Sequence, residues 1–303
     1  MKRFSLVCLL AGIILIPAYA QKSPFTGRWD LTVTPKAANA KIYPDWMEVA
    51  DKVRIQPRSG SAFYAKEFKA EGTHLNVVWA NGTTTWDLEI KDGKLTGTEK
   101  HNGNVFAELT GERAPALDRK APTSWTAPEP IFNGKDLAGW EPTDPAAANH
   151  WIVKDGELVN ETKGANLKTT RKFEDFKLQI EYNCPDDGNS GIYLRGRYEV
   201  QVEYEKVDAN DKFHSMGAIY SFISPAVELP RKPGTWETYD ITLVGRRLTV
   251  VRDGVKTIDN QEIPGPTGGA IDSHEAEPGP FYIQGDHTGG MKYRNITIQV
   301  PKK

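Results

Sequence analysis

Hydrophobic and polar residues alternate along most of this chain with a period of two, and no stretch sustains a helical repeat. Upstream of residue 114, "FTGRWDLTV" alternates through Trp29, Leu31 and Val33. "TTTWDLEIKDGKLTGTEKH" does so through Trp86, Leu88 and Ile90 and then meets an Asp92-Gly93 pair. Asp-Gly between alternating runs predicts a hairpin, because both turn positions need positive φ. Downstream the pattern returns in "HWIVKDGELVN", "FKLQIEYN", "GIYLR", "YEVQVEY", "WETYDITLVGRRLTVVRDGVKT", "FYIQGD" and "MKYRNITIQV", with Asp155-Gly156 and Asp253-Gly254 as further turns. Residues 115–128, rich in proline and alanine, have no period and predict a linker. The expectation is an all-β chain: a small β-barrel or sandwich over 24–114, then a two-sheet jelly-roll β-sandwich over 129–303.

The N-terminus changes the picture of where the protein works. Lys2 and Arg3 precede the apolar run "FSLVCLLAGIILIPAYA", which ends Ala18-Tyr19-Ala20 before Gln21. That pattern predicts a cleaved signal peptide over 1–20 and a periplasmic or secreted protein. Cys8 leaves with it, so Cys184 has no intramolecular partner and is expected to be an inert buried residue. The 38 Lys and Arg nearly balance 40 Asp and Glu and are scattered, which argues against nucleic acid as a partner.

One hairpin is furnished for chemistry. In "NSGIYLRGRYEVQVEYE", residues 189–205, Ile192 and Leu194 alternate with Tyr193 and Arg195, and Val200 and Val202 alternate with Glu199, Gln201 and Glu203. A turn over Gly196 to Tyr198 would set Arg195 opposite Glu199 and Tyr193 opposite Gln201, and would separate apolar from polar faces. Tyr193, Arg195, Glu199 and Gln201 then form one cross-strand patch. A solvated sheet face with a surface Arg195–Glu199 pair is the competing reading.

From "IFNGKDLAGW" to the C-terminus the chain resembles the 3-keto-disaccharide hydrolase family, also described as a 3-keto-glucoside 1,2-lyase / 3-keto-2-hydroxy-glucal hydratase domain. The resemblance rests on Phe132-Asn133-Gly134 with Leu137 and Trp140, on Asn189 to Arg195, on Tyr198 to Gln201, and on Gly217 to Tyr220. It continues in Lys232-Pro233-Gly234-x-Trp236, Asp253-Gly254, Gly279-Pro280-x-x-x-Gln284 and Tyr293 to Ile296. It implies a concanavalin-like jelly roll and, as substrate, an oligosaccharide or glycoside whose C3 hydroxyl is already a ketone. After Gln284 stands "GDHTGG", in which Asp286 and His287 both qualify for a chemical role. In the first part, Gly27-x-Trp29 resembles the opening of lipocalin-like barrels, with Arg113 a candidate lid over the tryptophan. So short a motif leaves a structural or interaction domain as the expectation there.

A C3 ketone acidifies the C2 proton, so an enolate formed there can expel the C1 substituent, given a base, an oxyanion stabiliser and an acid. Glu199 or His287 can serve as base, and Arg195 and Gln201 can hold the enolate oxygen. Tyr193, Tyr220 or Trp236 can offer a surface to the sugar, with Gln284 and Asp286 as further binding residues. No glycine-rich phosphate loop is present, and the prior oxidation falls to a separate sugar 3-oxidoreductase. No cofactor is required by this scheme. A divalent cation on Asp272, His274, Glu275 and Glu277 is an alternative use of an acidic loop. A non-catalytic carbohydrate-binding sandwich is the competing function. An ordinary glycosidase would need a second carboxylate near Glu199, which the sequence does not reveal.

Overall fold

The computed structural model describes residues 23–206 and 211–302, so the signal peptide expected at 1–20 lies outside the described residues. Every regular element among the described residues is a β-strand. The first nine strands form one antiparallel meander in which Gly27–Pro35 pairs on one side with Tyr43–Val49 and on the other with Asn104–Arg113. Its edges, Phe63–Tyr64 and Glu67–Glu71, follow each other in the chain, so the sheet curls back to its own start. Alternation filled its interior as the pattern requires, with Trp29, Leu31, Val33, Met47, Ile55, Leu75, Val77 and Trp86 all fully buried. Each such side chain stabilises the fold by about 1.5–3 kcal/mol. The Arg113 guanidinium lies 3.8 Å from the Trp29 ring centre and closes that end of the interior.

The second part is a sandwich of an eight-stranded and a five-stranded sheet. Leu178, Ile180, Tyr239 and Ile241 of the larger sheet share one core with Ile192, Leu194, Val200 and Val202 of the smaller. Asp92, Asp155 and Asp253 all take positive φ, each followed by a positive-φ glycine, so the Asp-Gly turns form as the sequence predicts. Cys184 is buried, and burial pushes its thiol up to about 12, which makes it unreactive.

The two parts meet over a broad, partly polar contact. Trp46 of the first sheet packs edge-on against Phe222, with ring centres 5.5 Å apart, and belongs to the core of the sandwich. Arg54 donates to the Ser221 carbonyl at 2.8 Å, Arg28 pairs with Glu262 at 2.5 Å, and the Gly269 N–H donates to the Arg58 carbonyl at 2.7 Å. The linker residues are themselves docked, Arg119 on Asp175 at 3.1 Å and Trp125 by a backbone bridge to Pro301.

At this contact Asp30 is buried beside Glu275, and burial first, then the Glu275 charge, raises its carboxyl far above the ordinary value, against the pull of Arg246 and Arg197. The folded state therefore holds a proton that the unfolded state releases. Its stabilisation is complete below the ordinary carboxylate range and is lost as pH rises through about 9. Each such carboxyl adds a slope of about 1.4 kcal/mol per pH unit inside its window. We expect the melting temperature to fall steadily from pH 5 to pH 9, and Asp30→Asn to flatten that fall in thermal denaturation. An unchanged slope in the variant would place the pH dependence elsewhere.

Candidate functional site

The hairpin Asn189–Leu194 with Tyr198–Glu203 separates its faces as the alternation predicts, but its register differs by two residues. Tyr193 lies opposite Glu199, Gly191 opposite Gln201, and the turn is Arg195-Gly196-Arg197. The cause lies in Tyr198. Its ring belongs with Leu194 on the buried side, and its hydroxyl reaches the Glu275 carboxylate at 2.5 Å, which pulls it into the strand and pushes Arg195 into the turn at φ 52°. Arg195 is consequently buried behind the hairpin, donating to the Tyr198 hydroxyl at 2.9 Å and the Gly245 carbonyl at 3.2 Å. Its expected role at an enolate oxygen is corrected: it does not line the cavity.

The even-numbered residues of the hairpin fill the sandwich core, and the odd-numbered ones face a cavity of about 930 Å³ that residues 41–44 and 58–60 of the first part also line. Of the candidate residues read from sequence, Tyr193, Glu199, Gln201, Tyr220, Gln284, Asp286 and His287 all line it. Trp236 does not. It sits on the outer face of the larger sheet with the Arg294 guanidinium 4.0 Å above its ring, so its expected role as a sugar platform is corrected as well.

The floor is made of a close aromatic pair. Tyr193 and Tyr282 stack with centres 3.8 Å apart and donate to the Gly268 and Gly269 carbonyls at 2.9 and 2.5 Å. Beside them the Glu199 carboxyl lies over Gly191, where a Cβ would stand 2.1 Å from Oε1. Glu199 is 4% exposed. Burial, with the charges of Glu203 and Asp286 adding to it, pushes its carboxyl well above the usual range; the Tyr193 hydroxyl only partly opposes this. Gln201 donates to Glu203 at 3.0 Å, and burial raises Glu203 to about 8, aided by Glu205 and Asp211. At neutral pH both are acids holding a proton.

Another part of the lining, just past the Tyr282–Ile283 strand, is charged. Asp286 and His287 pair at 3.0 Å. Burial works against the Asp286 carboxylate, yet the His287 hydrogen bond and charge, with Asn166, hold it below its ordinary value. His287 is raised by the same hydrogen bond, against its own partial burial. The cavity thus separates neutral carboxylic acids from an ionised carboxylate–imidazole pair, the arrangement that divides acid from base roles.

Several lining residues escaped the sequence reading. Glu203 carried the right parity but was not singled out, and Tyr282 lay in the predicted strand "FYIQGD". His214, from a polar loop segment, lines the cavity with its ring edge-on to Tyr220 at 4.7 Å. Tyr43 comes from the first sheet and Arg58 and Ser59 from the loop after its Val53–Gln56 strand, and no local pattern could announce them. The acidic loop is engaged elsewhere: Asp272 accepts from Arg197 at 2.7 Å and Glu275 from Arg246 at 3.0 Å. Among the described residues no three His, Cys, Asp or Glu converge in a metal-holding group.

The cramped seat of Glu199 makes a direct prediction. Gly191→Ala should displace the carboxyl and cost about 1–3 kcal/mol of stability, the range for overpacking. Glu199→Ala in the same chain should recover most of that loss in a denaturant-unfolding cycle. Two additive losses would mean that the glycine does not serve the carboxyl.

A glycosyl hydrolase candidate from Parabacteroides distasonis is 28% identical to this chain, over 59% of it and 92% of that chain, with a TM-score of 0.50. A second from the same organism is 19% identical and covers 59% of this chain and 94% of that one at a TM-score of 0.48. No curated protein matches. The site chemistry and the first of these similarities support a carbohydrate-active protein. Residues 127–299 match the model of the 3-keto-alpha-glucoside-1,2-lyase-like domain, more than half of the chain, and the protein belongs to that family.

Proposed function

We propose that the protein cleaves 3-keto-glycosides by elimination across C1 and C2, with hydration completing a net hydrolysis. The observation that supports this most is the split of proton affinities in one cavity: Glu199 and Glu203 neutral, Asp286 ionised beside His287. A surface built only to bind sugar needs aromatic faces and amides, not an acid and a base with opposed perturbations.

In this reading His287, oriented by Asp286, takes the C2 proton. The electrons pass into the C2–C3 bond and onto the ketone oxygen, where the amides of Gln201 and Gln284 stand as donors. As the enolate collapses, the C1–O bond breaks and Glu199 gives its proton to the departing oxygen. Water then adds at C1 and a proton returns to C2. The sequence offered Glu199 or His287 as base; the buried proton on Glu199 favours the second. The ketone must be installed beforehand by a sugar 3-oxidoreductase, and the leader expected at residues 1–20 supports work outside the cytoplasm.

A second reading has one observation in its favour. The sequence disclosed no partner for Glu199, but Asp286 is an ionised carboxylate in the same cavity, and an acid with a carboxylate is also the equipment of direct glycoside hydrolysis. Heavy water separates the two. Elimination places solvent deuterium at C2 of the product from a 3-keto-glucoside, and the unoxidised parent is not cleaved. Cleavage of the parent, or a product without deuterium at C2, sinks the elimination reading.

The acid and base also set a pH profile. His287 must be neutral, so activity climbs as pH rises through its value, which lies above 6.5. Glu199 must keep its proton, so activity falls once pH passes its raised value. We expect a bell in kcat/KM. Glu199→Gln should lower kcat about 100-fold or more with KM little changed, in the range of general-acid loss.

A further inference from the structure

The first sheet carries a cavity of its own. One end of its interior is packed solid with apolar side chains, but the other leaves about 660 Å³, within the roughly 300–1,000 Å³ of small-molecule sites. Tyr43, Arg58 and Ser59 line both this cavity and the candidate site of the sandwich, so the two share a wall and rim. Phe63 and Trp79, 5.0 Å apart and tilted, form one side. Phe106, stacked 4.1 Å from His101, forms another.

The polar groups of this cavity are mostly committed. Glu99 accepts from the Trp86 indole at 2.9 Å and pairs with His101 at 2.6 Å, and Asn81 donates to Thr84 at 3.0 Å. Two buried groups are free to meet a ligand, while Tyr43, Arg58 and Ser59 at the shared rim offer further polar atoms. The Trp79 Nε1–H is buried without a hydrogen-bond partner in the protein. Asp45 is fully buried, and burial first, with the Glu99 charge, holds its carboxyl well above the usual range, so it carries a proton; only its Oδ1 is used, by the Arg58 N–H at 2.7 Å. A buried donor left unpaired is unfavourable, and a ligand oxygen would relieve it.

We propose that this cavity is the leaving-group subsite, and that it takes a hydroxylated aromatic aglycone. The inference rests on the glycoside-cleaving reading above, because the group released from C1 needs a berth next to the sugar. The lining selects its class. Aromatic rings on two sides suit a flat aromatic ring system, and two free polar groups suit one or two oxygens on its edge. A second sugar presents hydroxyls all round and would leave most of them unpaired against Phe63, Trp79 and Phe106.

The test uses 4-methylumbelliferone, a bicyclic phenol, as free probe, and its 3-keto-glucoside beside methyl 3-keto-glucoside as substrates. The intact protein should bind the free phenol by calorimetry. Trp79→Ala and Phe106→Ala should each weaken that binding about tenfold, and each should lower the aryl-to-methyl ratio of kcat/KM by a similar factor. Phe106 is only half-buried, so its variant keeps the test alive if loss of Trp79 impairs folding. No binding of the phenol, or binding and ratio unmoved in both variants, overturns the proposal while leaving the elimination reading intact. Phenol binding that depends on both residues, in a protein that cleaves neither glycoside, supports the cavity and defeats the reading of the neighbouring site.

Discussion

A carboxyl group buried with no cation beside it must keep its proton, and the candidate site is arranged around that constraint. Glu199 sits on the odd-numbered face of a hairpin whose even-numbered face is sandwich core. In an ordinary antiparallel sheet that odd face would meet water and the carboxyl would ionise. Here it faces a cavity that Tyr43, Arg58 and Ser59 of the first part also line, and Gly191 surrenders the space that a side chain would occupy. Removing water raises the proton affinity of Glu199 and Glu203 together, while Asp286 stays charged because it has His287.

The two halves of the chain contribute differently. The sandwich supplies the titratable groups, whereas the first part supplies Tyr43, Arg58 and Ser59 at the rim and a second cavity beyond them. The join between them is itself a buried electrostatic cluster of Asp30, Glu275, Arg246 and Tyr198. The residue that draws Tyr198 into its strand, Glu275, thus also sets the register of the hairpin that faces the cavity. Interface and site are mechanically one object.

Much of this was legible along the chain, and for physical reasons. Period-two alternation depends only on which face is buried, so strands such as Trp29 to Val33 and the Asp-Gly turns could be read directly. Face separation in the hairpin was readable for the same reason. Its register was not, because it was decided by a distant partner, the Tyr198–Glu275 hydrogen bond, rather than by the local pattern. The same distance effect misassigned Arg195, held by Gly245, and Trp236, covered by Arg294. Residues from the other sheet had no signal at all, since a cavity between two sheets leaves no mark in either strand pattern.

The central claim is that Glu199 carries a proton at neutral pH inside a cavity that also holds the ionised Asp286–His287 pair. Infrared difference spectroscopy between the protein and its Glu199→Gln variant at pH 7 addresses it directly. The account predicts that the difference spectrum loses a protonated-carboxyl C=O stretch and no carboxylate band. Loss of a carboxylate pair of bands instead, with the protonated region unchanged, would contradict it.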